Sequence, residues 1–217
     1  MKTNELFDLK HTLACDYLSS FTYGWEALDG ISQMISELSE FLHDDFREIK
    51  EKVWIHRTAT LSNSVCIKGP VIIGKNSEIR HGAFIRGSVL IGENCVIGNS
   101  TEVKNSILFD GVAVPHFNYI GDSILGFKVH FGAGAITSNV KSDKSLITVK
   151  GISTVRTNRR KFGALVGDNT EIGCNTVLNP GTVIGRNCRV YPLSRVRGVV
   201  KENSIFKSED NIVAMED

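Results

Sequence analysis

The chain has 217 residues, room for one large domain or a domain with a small appendage. Its 25 Lys and Arg against 24 Asp and Glu leave a net charge of +1, so nothing in the charge balance points to a nucleic-acid groove or an anionic membrane as main partner. An apolar content of 41% supports a core and excludes wholesale disorder, and no stretch approaches 18 apolar residues.

The opening MKTNELFDLKHTLACDYL has no apolar signal region, which sets the expectation of a soluble, cytoplasmic protein. Five cysteines (15, 66, 95, 174 and 188) are odd in number, scattered and free of any CxxC pair. Neither a disulfide framework nor a zinc site is expected, and no metal is assigned.

Residues 1–52 read as a helical N-terminal segment. One helix is expected around Leu13, Tyr17, Leu18 and Phe21. A second follows the helical spacing of Leu28, Ile31, Met34, Ile35, Leu38, Phe41 and Leu42, and Asp44 is placed to cap a short third.

From Ile67 onward an aliphatic residue returns every six positions: Ile67, Ile73, Ile79, Ile85, Ile91, Ile97 and Val103. One residue is dropped before Leu108, Val114 and Ile120, and another before Leu125, Phe131 and Thr137. The beat then resumes through Val166, Ile172, Leu178, Ile184, Val190 and Val196, with Thr137 alone not apolar. Glycine often follows, as at Gly74, Gly92, Gly98, Gly121 and Gly126. Neither the helical nor the strand period produces such a beat. A six-residue unit suits a flat strand and a corner, three units close a triangle, and triangles stack at about 4.8 Å. The pattern resembles the [LIV]-G-x4 hexapeptide repeat, and that resemblance implies a mainly β fold, a left-handed parallel β-helix of about six coils over residues 53–205. The helices would cover the open lower end of this prism, whose edge is otherwise unpaired.

Residues 139–163 interrupt the beat. They carry Lys141, Lys144, Lys150, Arg156, Arg159, Arg160 and Lys161 against the single acid Asp143, so a basic inserted loop suited to phosphate capture is expected. Residues 206–217 read as a C-terminal tail.

Stacking turns sequence separation into adjacency. Ile85, Val103, Ile120 and Thr137 share a ladder, which places Arg86 next to Lys104 and Glu102 next to Tyr119. Asn99, His116 and Ala133 form a neighbouring stack, so all these side chains are expected on one wall. Two stacked cations repel unless an anion bridges them, and phosphate is the natural candidate; a solvated basic edge is the alternative. His116 beside Glu102 suits general-base chemistry, although an imidazole on a sheet face also serves structure. Zinc chemistry between copies is disfavoured because His81 and His116 lie two coils apart.

The stretch Arg86 to Val183 resembles the acetyltransferase domain of the bifunctional glucosamine-1-phosphate acetyltransferase/N-acetylglucosamine-1-phosphate uridylyltransferases. GNSTEVKNS (98–106) is similar to that family's GN-hydrophobic-EVK motif, and HFNYIGDSILG (116–126) to its His-x-x-Tyr-hydrophobic-Gly-Asp motif. FGAGAITSN (131–139) and KFGALVGDNTEIGCNTVL (161–178) match two further segments.

The resemblance implies that His116 deprotonates the amino group of glucosamine 1-phosphate, with Glu102 orienting it. It implies that Arg86, Lys104, Tyr119, Asn139 and Lys161 hold the sugar phosphate, and that Ala133 lies along the pantetheine arm of acetyl-CoA in a homotrimer. Cys174 falls where the family has a CoA-contacting Ser, and either keeps a backbone contact or fills the wall. His130 replaces a sugar-pocket Asn, Pro192 replaces a small residue near the CoA path, and the basic loop is longer than in the family. No GxGTRM-like nucleotide loop is present, so no nucleotidyltransferase activity is expected. The expected function is acetyl-CoA-dependent N-acetylation of a phosphorylated amino sugar in UDP-N-acetylglucosamine biosynthesis. The alternative is a non-catalytic trimeric module associated with a separate sugar-phosphate nucleotidyltransferase.

Overall fold

The computed structural model describes residues 1–151 and 154–215. Ile152 and Ser153 of the expected loop, and Glu216 and Asp217 of the expected tail, lie outside them.

The six-residue beat folds as a parallel β-helix with three walls. The first wall stacks Val53–His56, Val71–Ile73, Val89–Ile91, the later parts of Glu102–Leu108 and Tyr119–Leu125, then Ala164–Val166, Thr182–Ile184 and Val199–Val200. The second wall runs from Cys66–Ile67 through Phe84–Ile85 to Arg195–Val196. The third runs from Thr60–Leu61 to Ser204–Ser208. The stack is longer than the beat from Ile67 to Val196 implies, since Ile55 and Leu61 begin it and Val200 and Phe206 extend it. The inward aliphatics are buried in one continuous core. Thr137 interrupts that apolar ladder because its buried hydroxyl accepts the Gly121 N–H at 2.9 Å.

Two coils are one residue short, and this shapes the site. After Val103 and after Ile120 the chain turns from second to first wall within a single continuous strand. The turn is made at Asn105 (φ 44°) and Asp122 (φ 50°), in the left-handed region that Asn and Asp tolerate better than most residues. Buried Ser106 and Ser123 stitch the tightened corners, the Ser123 N–H donating to Ser106 Oγ at 3.2 Å.

The N-terminal segment corrects two expectations. Short helices Thr3–Leu6 and Cys15–Ser19, a 3-10 turn Gly24–Asp29 and the helix Ile31–Ser39 form, but among the described residues no helix follows Asp44. Instead Phe46–Lys50 pairs antiparallel with Val53–His56 and covers the lower edge. The helices therefore do not close the end of the prism; they pack along its first wall. The middle residues Ile72, Leu90, Ile107, Ile124, Leu165 and Val183 point outward into a second core with Leu6, Leu28, Ile31 and Ile35. A strand buried on both faces reads as a continuous apolar run, which is why Val71-Ile72-Ile73 and Val89-Leu90-Ile91 lack alternation.

Within the inserted loop, Thr148–Lys150 and Thr154–Arg156 pair antiparallel. Its Ile147, Val149 and Phe162 are buried in the second core. The C-terminal residues do not trail off: Asn211–Ala214 pairs antiparallel with Ser204–Ser208 along the upper edge.

Candidate functional site

Arg86 and Lys104 neighbour each other on the second wall, through the pairing of Ile85 with Val103. His116 ends a strand of the third wall, paired with Asn99. The expected single wall is thus two walls meeting at the corner 117–118, because the imidazole precedes that corner and Tyr119 follows it.

Each cation already has its own carboxylate, which corrects the idea that an anion must bridge them. Arg86 Nη1 lies 2.6 Å from Glu102 Oε1, and this hydrogen bond holds the guanidinium above its ordinary pKa. Lys104 Nζ lies 3.2 Å from Asp122 Oδ2. Glu102 is therefore engaged by Arg86, and among the described residues no hydrogen bond joins it to the His116 ring. The backbone of His116 is instead fixed by buried Asn118. Its Oδ1 accepts the His116 N–H at 3.1 Å, while its Nδ2 donates to Gly132 O and Ala135 O at 2.8 and 2.9 Å. The ring itself is exposed.

Asp122, which sequence reasoning did not single out, is the hub of the next corner, where the second wall turns into the first. Its buried carboxylate accepts from Lys104, from Asn105 Nδ2 at 2.9 Å and from Asn139 Nδ2. Asn139 Nδ2 also donates to the Tyr119 hydroxyl at 3.2 Å. Burial pushes the Tyr119 phenol up, with the charges of Asp122 and Glu102 adding to it. A Cβ at Gly121 would stand 2.6 Å from Tyr119 Oη, so a larger residue there would displace the phenol. The two dropped residues in the beat marked this corner: each falls beside Asn105 or Asp122.

Lys161, leaving the inserted loop, lines a cavity of about 320 Å³ with Asp29, Asn105, Asp122, Asn158, Arg159 and Arg160. Tyr119, Asn139, Lys104 and Lys161 therefore converge around Asp122, whereas Arg86 sits at the outer end with Glu102. His130 does not join them: its Nδ1 lies 2.7 Å from Glu171 Oε2 on the third wall.

Small residues climb past the imidazole. Gly134 N–H donates to His116 O at 3.0 Å, Asn175 N–H to Ala133 O at 2.8 Å and Leu193 N–H to Cys174 O at 2.8 Å. This register seats Ala133 over His116, Cys174 over Ala133 and Pro192 over Cys174. The Cys174 side chain is exposed, and a Cβ on Gly132 would stand 2.9 Å from its Sγ. The corner beside this track is left-handed at Phe117 (φ 52°) and Leu193 (φ 60°), both exposed.

Among the described residues no helix is long and apolar enough to cross a membrane. Residues 67–158 match the family described as the GMPPB C-terminal domain, and residues 163–198 match the bacterial transferase hexapeptide (six repeats). A bifunctional sugar-1-phosphate nucleotidylyltransferase/acetyltransferase of Sulfurisphaera tokodaii is 37% identical over 102 residues, 46% of this chain and 25% of its own length. The bifunctional protein GlmU of Methanococcus vannielii is 35% identical over 106 residues, 46% of this chain and 24% of its own. The chain thus spans about a quarter of the length of these curated relatives. Among solved structures, UDP-N-acetylglucosamine O-acyltransferase of Moraxella catarrhalis aligns with TM-score 0.45 and 17% identity, over 75% of this chain and 72% of its own. The acetyltransferase domain of PglB from Neisseria gonorrhoeae, solved with acetyl coenzyme A, aligns with TM-score 0.39 and 17% identity, over 84% of this chain and 64% of its own. The six-residue beat and the three-walled stack agree with the match of residues 163–198 to the bacterial transferase hexapeptide, so the chain carries a hexapeptide-repeat β-helix similar to that of these transferases.

Proposed function

We propose that the protein is an acetyl-CoA-dependent N-acetyltransferase acting on a phosphorylated amino sugar such as glucosamine 1-phosphate. The observation that carries the reading is a juxtaposition on neighbouring coils: exposed His116 ends the third-wall strand just before the 117–118 corner, and the short second wall beyond it leads from Tyr119 to Lys104, Asn139 and Lys161 gathered around Asp122. Cations and amide donors suit a phosphate, and a nearby imidazole suits removal of an amine proton.

Acetyl-CoA supplies the acetyl thioester. The track of Ala133 and Cys174 above His116 fits its narrow pantetheine arm, because small side chains leave room there. His116 takes a proton from the acceptor's amino group as its nitrogen bonds the thioester carbonyl carbon. The C–S bond breaks, and the imidazolium returns the proton to the departing thiolate. Direct amine attack leaves Cys174 no nucleophilic role. Asn118 positions His116, and Glu102 neutralises Arg86 rather than orienting the base. The exposed, left-handed Phe117 and Leu193 beside the track support a homotrimer that completes each site across a subunit boundary.

The test is product formation from acetyl-CoA and glucosamine 1-phosphate, followed by mass spectrometry. His116→Ala should slow transfer by about 10²- to 10⁴-fold. Equal rates, or no transfer by the wild type, would count against the reading. Absence of transfer together with co-purification of a separate sugar-phosphate nucleotidyltransferase would favour the non-catalytic module.

A further inference from the structure

We infer that Arg160, carried on the inserted loop, is the arginine that grips the acceptor's phosphate, and that the Arg159–Asp29 pair holds it in place. This deepens the proposed function, since it assigns a further substrate-binding residue to the same site.

The resemblance assigns the phosphate-binding guanidinium to Arg86, but that group is hydrogen-bonded to Glu102 at 2.6 Å. The cavity beside Asp122 offers a different one. Its wall holds three cations, Arg159, Arg160 and Lys161, against two carboxylates, Asp29 and Asp122. Both carboxylates are occupied: Asp29 by Arg159, at 2.7 Å from Nη1 to Oδ2 and 2.5 Å from Nη2 to Oδ1, and Asp122 by Lys104, Asn105 and Asn139. Arg160 and Lys161 make no ion pair among the described residues. The cavity therefore presents two uncompensated positive charges, which match the nearly doubly charged phosphate monoester at neutral pH. A planar guanidinium adds two-pronged geometry that Lys161 lacks.

The arm that carries Arg160 is fixed on both sides. Phe162 is fully buried and packs 5.9 Å, ring to ring, from Trp25 of the helical layer. Arg159 crosses to Asp29 in the same layer, and its Nε donates to Lys161 O at 3.3 Å. Asn158 turns the chain at φ 56°. The helical layer thus reaches the site indirectly, as the anchor of the phosphate-binding arm. Arg159 and Asp29 are positioning residues here.

Calorimetric titration of the full chain with inorganic phosphate at low ionic strength separates this claim from the acceptor assignment. Wild type should bind, Arg160→Ala should weaken binding about tenfold or more, and Arg160→Lys should fall between them. Asp29→Glu, which keeps the charge of the wall but changes the reach to Arg159, should weaken it as well while leaving the unfolding midpoint within a few degrees of wild type. Lys207→Ala, a cation on the C-terminal hairpin, controls for general charge. No phosphate binding by wild type, equal binding by Arg160→Ala, or an equal loss in Lys207→Ala would overturn the inference. If Arg160 governs phosphate binding but glucosamine 1-phosphate is not acetylated, the subsite stands and the acceptor assignment fails.

Discussion

Replacing Asp122 by Asn should move two measurements in opposite directions. The carboxylate is almost fully buried and receives three donors, one of them the Lys104 ammonium at 3.2 Å with a side chain 19% exposed. An amide keeps the volume and tolerates the left-handed backbone, but it removes the charge and turns an N–H toward groups that are themselves donors. A hydrogen bond to a charged group contributes about 1.5–3 kcal/mol, and the partial exposure of Lys104 pulls the expected loss to about 2 kcal/mol. For a domain of this size that corresponds to roughly 4–8 °C in the unfolding midpoint. Lys104 then lacks a counter-charge, so inorganic phosphate should bind more tightly, by about tenfold at low salt and less as salt rises. Thermal unfolding and phosphate titration on the same preparation check both halves. An unchanged midpoint, or weaker phosphate binding in the folded variant, would refute the view of Asp122 as an internal counter-ion within an anion site.

Leu165→Ala should cost about 2–5 kcal/mol in denaturant unfolding, because this fully buried side chain joins the first wall to the helical layer. Cysteine labelling of the native chain near pH 8 should modify Cys66 and Cys174 readily and Cys15 more slowly. Cys95, whose thiol burial pushes up to about 12, and buried Cys188 should react only on unfolding. Asp168 is buried and accepts the Asp8 and Phe127 N–H groups at 2.7 and 2.8 Å; burial raises its carboxyl pKa. The folded chain then holds this proton to higher pH than the unfolded chain, so its contribution to stability falls as pH climbs from the ordinary carboxylate range through the raised value. Asp168→Asn should flatten that slope and speed amide exchange at Asp8.

The three-walled stack was legible because a six-residue beat of buried aliphatics has few other solutions. Register followed from the same arithmetic, which is why Arg86 beside Lys104 and Glu102 beside Tyr119 hold as pairings. The placement of the helices was misjudged although the signal was present: a run such as Val71-Ile72-Ile73, apolar at its middle position, marks a wall covered on both faces. Asp44 looked like a cap, yet the nearby lower edge recruited Phe46–Lys50 as an antiparallel strand, since unpaired backbone groups outweigh a local preference.

Sequence by itself determined which residues stack, because in this fold neighbourhood is a matter of counting. Only tertiary structure decided how the charges pair. Lys104 meets Asp122, Arg86 meets Glu102 and Arg159 meets Asp29, and these choices depend on side-chain reach across corners and between layers that no periodicity encodes. The same limit explains why His116 came to stand on the adjoining wall: a count gives the rung, while the position of the bend within it is set by the local backbone at Phe117 and Asn118.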